Sequence, residues 1–403
     1  MRAWTRVAAV LFVIGYGANQ FSPLMVMYRE QGHYSATVVA AFFGVYVAGL
    51  APGLLVGGPL SDRLGRRRVL LPALVASVPA SSVLAAGAFS EALLFTGRFL
   101  FGLVTGVAMA VGTTWVKELS QAPFDPVADA GSGARRAALA LSAGFGVGPA
   151  VGGVLAQWAP LPMELPYLVH VALTLPVIAL VARAPETRAP EALPGPRPRR
   201  SLLSDLAVPA VAHPRFRGLV LPLAPWVFGA PALSFAVQPA ALGPERTAGF
   251  GLIFATGLTA VTLSAGVAIQ SAARRLDARA PLAGAPLGLV LIVVGILVAA
   301  LTALTGSLVV AFAASATLGA GYGISLVSGL LEVQRIAAPE HLAGLTAVYY
   351  SLTYVGFLLP VVLAPLAVPV PYPLLLVVVA ALAAVCLAVL VVAGRRTARP
   401  VPV

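Results

Sequence analysis

Gly57-Gly58-Pro59-Leu60-Ser61-Asp62-Arg63-Leu64-Gly65-Arg66-Arg67-Arg68-Val69-Leu70 is the stretch on which the reading of this chain turns. One acid and four arginines fall within seven residues, between two long apolar runs. The composition marks the flanking runs as candidate membrane spans. The chain has 403 residues, 59% hydrophobic and 10% charged, where a soluble domain carries about 25% charged residues. Its formal charge of +12 comes from arginine, with Lys117 the one lysine. A basic total also fits nucleic-acid binding. Here the cations lie in short loops between apolar runs, where they set topology instead, so no nucleic-acid partner is expected. Cys386 is the one cysteine, which excludes an intrachain disulfide.

A spanning helix needs about 20 mostly apolar residues. That rule predicts twelve spans, at 7–28, 36–60, 69–89, 92–116, 135–158, 164–182, 217–240, 248–271, 282–304, 307–331, 342–367 and 371–394. The first run is too long for the core of a signal peptide and more spans follow it, so it reads as a membrane helix. The seventh contains Pro222, Pro225 and Pro231, which a membrane helix tolerates where its neighbours satisfy the freed carbonyls. With the N-terminus inside, only Arg29 and Arg246 of the 26 Lys and Arg residues face outward, and Arg98 lies within a span. The positive-inside rule therefore puts both termini in the cytoplasm of a multi-pass cell-membrane protein. The stretch from Arg183 to Arg217 is rich in proline and arginine and cannot span. It reads as a passive cytoplasmic linker, with a short surface helix expected over Ser201 to Ala212. The division predicted is a six-helix bundle over 1–183, a linker over 184–216 and a second bundle over 217–403.

The opening stretch resembles motif A of the major facilitator superfamily, G-x-L-x-D-x-x-G-R-[RK]-x-x-[LV], with Gly58, Leu60, Asp62, Gly65, Arg66 and Arg67 in register. The resemblance implies an all-α membrane protein of twelve transmembrane helices in two pseudo-symmetric six-helix bundles. It also implies that this loop latches one of two access states. Physically, a carboxylate at Asp62 can pair with a guanidinium one turn on, while glycine permits a tight turn or a close approach. Glu118 ends the fourth span at the depth of Asp62 and is the expected partner of Arg66. Glu332, near the end of the tenth span, is expected to meet Arg274 or Arg275. The loop between the eighth and ninth spans keeps the basic character of motif A, in Arg274, Arg275 and Arg279, without its glycines.

Two further stretches extend the resemblance. Arg98 to Gly106 is similar to motif B, R-x-x-x-G-x-x-x-[GA], with Arg98 and Gly102 in place. The family implies a role for that arginine in coupling protons to transport, and an ionisable group within a span is in any case costly. Gly144, Gly148, Pro149, Gly152 and Gly153 match motif C, G-x-x-x-G-P-x-x-G-G, at every specified position. Glycines four apart allow close helix approach and proline adds a kink. Motif C is associated with antiporter branches, chiefly drug/proton exporters. One departure is that the first span holds Tyr16, Asn19 and Gln20 but no acid, although a buried carboxylate is the usual reversible proton carrier. The remaining titratable groups are Asp62, Glu118 and Glu332 at helix ends and His170 within the sixth span, which reads more simply as a packing histidine.

Candidate pocket residues are Tyr16, Asn19, Gln20, Phe43, Tyr46, Trp226, Gln238, Tyr322, Tyr350 and Tyr354. Aromatic and amide groups of this kind suit a neutral or weakly polar organic molecule. The expected partners are thus a small-molecule substrate, protons and the lipid bilayer, with the chain acting as a monomer. Three functions compete: proton-driven export of a small organic molecule, uptake or facilitated diffusion, and a non-transporting sensor or scaffold. No P-loop, catalytic cluster or metal-ligand spacing is found in the sequence, so neither an enzyme nor a cofactor is expected.

Overall fold

The structure is a computed structural model that describes residues 2–129, 131–188, 208–338 and 342–397. Among the described residues, twelve helices are long and apolar enough to cross a membrane. They are α1 Ala3–Glu30, α2 Ala36–Leu64, α3 Arg66–Phe89, α4 Glu91–Glu118, α5 Ser132–Trp158, α6 Leu165–Ala182, α7 Phe216–Leu242, α8 Gly251–Arg279, α9 Gly284–Thr305, α10 Leu308–Ile336, α11 Gly344–Leu366 and α12 Tyr372–Arg396. Most of the expected surface helix lies outside the described residues; Pro209–Ala212 forms one 3-10 turn. By its contacts the chain splits into two compact units, Met1–Met27 with Gly44–Ala207, and Tyr28–Phe43 with Val208–Val403. The segment joining α1 to α2 therefore groups with the later helices.

Irregularities fall where the sequence demands them. The turn between α2 and α3 rests on Gly65, whose φ of 100° suits a residue without Cβ. At Gln20 the regular helix of α1 is interrupted by a single turn residue, so that two helical pieces, Ala3–Asn19 and Phe21–Glu30, make one span. Proline-rich α7 relaxes into wider π turns at Phe216–Val220 and Leu233–Val237, the local adjustment by which membrane helices absorb disrupted hydrogen bonding.

Helices in lipid gain nothing from hiding apolar surface from one another, so close contact depends on small residues. In the first unit α2 and α4 interlock: a Cβ on Gly49 or Gly53 would strike the carbonyls of Phe99 and Leu103, and one on Gly102 or Gly106 those of Tyr46 and Leu50. In the second unit α8 and α10 use the same device, with Gly319 against the Thr262 carbonyl and Gly323 against that of Gly266. On α12, Leu374, Val377, Val378, Leu382, Val385, Val389 and Val392 are exposed, as a lipid-facing surface should be.

Candidate functional site

The charged turn of the first unit closes around one guanidinium. Asp62 lies in the last turn of α2, Arg66 opens α3, and Glu118 ends α4. Arg66 is buried, and its side chain reaches Glu118 at 2.7 Å and Asp62 at 2.8 Å. It also donates to Ser61 Oγ at 2.6 Å, and the Ser61 hydroxyl in turn donates to the Gly58 carbonyl at 2.8 Å. One arginine thus bridges the ends of two helices, with Glu118 as the partner expected. The two acids stay partly wet, with side chains 44% and 29% exposed, so water shares their stabilisation.

Sequence reasoning missed Glu186. Its carboxylate accepts from the backbone N–H groups of Arg66 and Arg67, both at 2.9 Å, and so neutralises orphan donors at the positive end of α3. Next to it, the Thr187 hydroxyl donates to Glu118, and the Pro185 carbonyl accepts from Trp115 Nε1 at 3.2 Å. The first residues after α6 are therefore docked on the charged turn instead of trailing as a passive linker. The signal was an acid, Pro185-Glu186-Thr187-Arg188, directly after a span in a segment whose charges are mostly arginine. Gly58 plays a smaller part than its motif suggests: a Cβ there would meet nothing within 4 Å, whereas one on Gly57 would lie 3.1 Å from Val107.

The second unit corrects the expected partner of Glu332. Arg274 and Arg275 are exposed, and the guanidiniums on Glu332 are those of Arg215, at 2.6 Å, and Arg335, at 3.4 Å. Arg335 stands three residues beyond Glu332 on the same helix, a spacing that brings side chains together, and it also pairs with the buried Asp277 of α8.

Arg98 is buried in α4. Its guanidinium lies between the faces of Phe21 and Tyr46, 4.1 Å and 4.3 Å from the ring centroids. It stacks inside the first unit rather than reaching toward an interface, a cation–π arrangement that partly offsets burial of the charge. Gly102, one turn on, leaves room for the Tyr46 backbone.

The glycines of α5 face α1. A Cβ on Gly144 would strike the Phe12 carbonyl, one on Gly148 that of Tyr16, and one on Gly152 would lie 3.2 Å from Gln20 Cβ. Pro149 and Gly153 are buried in the same helix. Near the interruption of α1 at Gln20, the Asn19 amide donates to the Phe145 carbonyl at 3.1 Å.

The pocket candidates separate into groups. Tyr16 is buried and stacks on His170, their ring centroids 6.3 Å apart. His170 is buried and takes a hydrogen bond with Ser81 at 2.8 Å. Gln20 is fully buried, and its amide has no hydrogen-bond partner among the described residues. In the second unit Tyr322 and Tyr354 join Phe228 at 5.8 Å and 4.5 Å, and Phe357 completes the group. Phe43 packs on Phe357 at 4.5 Å. Tyr350 instead pairs with Tyr349, and Trp226 is buried in α7. Gln238 donates to Ser315 at 3.1 Å, beside a Ser234–Thr262 contact of 2.6 Å. Phe228, Phe357, Ser234 and Ser315 were not foreseen; as apolar or small residues in apolar helices they carry no local signal.

Twelve apolar spans, small-residue helix contacts and an arginine bridging helix ends describe a polytopic membrane protein. The chain belongs to the Major Facilitator Superfamily, whose model matches residues 7–360, a family of transporters and not of enzymes. It is 33% identical over 207 residues to the multidrug efflux pump LfrA of Mycolicibacterium smegmatis, covering 48% of this chain and 38% of that one. It is 34% identical over 116 residues to the facilitated trehalose transporter Tret1 of Drosophila erecta, covering 26% and 13%. The match thus spans less than half the length of these curated relatives. Among solved structures, the nucleoside transporter NupG superposes with a TM-score of 0.74 at 10% identity, covering 98% and 99% of the two chains. The human organic anion transporter MFSD10 (TETRAN) gives 0.64 at 20% identity, covering 96% and 99%.

Proposed function

We propose that this chain exports a small organic molecule by alternating access, driven by proton entry, with Asp62, Arg66, Arg67, Glu118 and Glu186 forming a cytoplasmic lock on the first of two six-helix halves. In this reading the halves are 1–183 and 217–403, and both termini are cytoplasmic in the cell membrane of a monomer. The observation that carries it is the single buried Arg66 bridging Asp62 and Glu118. An ion pair at the ends of three helices holds while they stay together and is released to water when they part, which suits a reversible lock. The fit of the α5 glycines against α1 and the similarity to LfrA support export. Arg98, held between two rings, keeps the motif B part in coupling, and aromatic and amide candidates favour a neutral or weakly polar cargo.

Uptake or facilitated diffusion is the second reading, favoured by the lack of an acid in the interior of α1 and by the similarity to the trehalose transporter. Proteoliposomes under a proton gradient separate the two. Export predicts gradient-driven flux of a fluorescent drug-sized dye, and gradient-independent equilibration of trehalose would overturn it. In the same assay Asp62→Asn is expected to lower flux about tenfold or more while insertion is kept. Full activity of that variant would remove the lock.

A further inference from the structure

We propose that Arg215 is a positioning residue that fastens the start of α7, where the interdomain segment ends, to a buried charge cluster joining α8 and α10. This goes beyond the lock assigned above, since it concerns the second unit and no motif residue. Three observations carry it.

The first is charge balance under burial. The side chains of Glu332 and Asp277 are 5% and 9% exposed, so water does little for either. Arg335 bridges both acids, but one guanidinium against two buried carboxylates leaves an uncompensated charge, which is strongly destabilising. Arg215 supplies the second cation and makes the cluster neutral. The second is geometry. Arg215 grips Glu332 side-on, Nε to Oε1 at 2.6 Å and Nη2 to Oε2 at 3.0 Å, the two-point contact that only a planar guanidinium makes. The third is position. Phe216, the next residue, is buried in an apolar cluster with Val333, which itself follows Glu332. Phe216 also opens the π turn Phe216–Val220, a widened geometry that tertiary contacts must sustain. Arg215 and Phe216 therefore key the start of α7 into α10 by a polar and an apolar contact at adjacent residues.

The test is hydrogen exchange on the full-length chain in lipid nanodiscs, which needs no cargo and so does not depend on the transport reading. Arg215→Gln is expected to speed amide exchange about tenfold or more in both Phe216–Val220 and the last turns of α10. Exposed Arg217 serves as control, and Arg217→Gln should change neither segment. Arg215→Lys, which keeps the charge but loses the two-point grip, should give an intermediate rise. The double swap Arg215→Glu with Glu332→Arg should bring exchange back toward the native rate, a rescue that a merely steric role would not give. Unchanged exchange at α10 in Arg215→Gln overturns the proposal. So does a swap variant that keeps native helicity yet exchanges as fast as Arg215→Gln, and if Arg215→Gln does not fold, the lysine and swap variants decide.

Discussion

The two units solve the same electrostatic problem with different amounts of water. In the first, Asp62 at the end of α2 and Glu118 at the end of α4 are partly exposed and share the buried Arg66, with exposed Arg188 a loose second partner of Asp62 at 3.8 Å. In the second, Asp277 near the end of α8 and Glu332 near the end of α10 are buried, and two arginines serve them. The bridging cation has also moved, from the start of α3 to the last turn of α10 itself. Burial accounts for the difference: around half-exposed carboxylates a loose, solvated second arginine is enough because water screens the remainder, whereas a buried carboxylate needs its cation held close. The charged helix ends of the first unit are therefore the more solvated, and those of the second the more dependent on their cations.

The sharpest way to break this comparison is to delete each bridge. Arg335→Leu leaves Asp277 buried without its cation, and about 3–5 kcal/mol of stability should be lost. Arg66→Leu leaves acids that water reaches and that Thr187 and Arg188 still approach, so about 1–2 kcal/mol is expected. Denaturant unfolding in micelles ranks the two. The reverse order would mean that exposure does not set the cost, and the argument from burial would fail. The transport assay should rank them differently, because Arg66 belongs to the proposed lock.

Next in size is Glu186→Gln. It keeps an acceptor at the start of α3 but removes the charge that two backbone N–H groups and the helix dipole favour, so about 1 kcal/mol is expected. The loss should shrink as salt is raised. A salt-independent loss would show that packing, and not the cap, holds the segment after α6 in place.

How far these features were legible depends on the range of the contact involved. The spans were read well because each is a local property of about 20 residues, and even proline-rich α7 kept its place by adopting π turns. The motif glycines of α5 were legible because helical spacing alone puts them on one face. Glu118 was found from depth, since two helix ends at one level of the membrane can share a partner. Glu332 was misassigned because the loop arginines looked nearest in the folding pattern, although Arg335 was one turn away on its own helix. Glu186 carries only a weak local signal, an acid directly after a span, and Arg215 carries none: each meets residues more than a hundred positions away, and a charge in a basic linker resembles any solvated charge until the fold is known.

The smallest expected effect, at Gly58, tests the motif against the physics, with Gly65 as its contrast. Gly65 and Gly58 both belong to the pattern that decided the fold, but their backbones differ. Gly65 sits at φ 100°, and a Cβ there would lie 2.9 Å from the Glu186 carboxylate. Gly65→Ala should therefore cost about 1–2 kcal/mol and disturb the cap on α3. Gly58 lies within helical α2, with open space where a Cβ would go. Gly58→Ala removes the entropy cost of glycine in a helix, and stability should hold or rise by up to about 1 kcal/mol. Should Gly58→Ala nevertheless stop transport while unfolding stays native, the glycine is needed in a second access state, where another helix must come closer to α2. If both stability and flux are unchanged, Gly58 is a passive member of the motif, and the lock depends on Asp62, Gly65, Arg66 and Glu118.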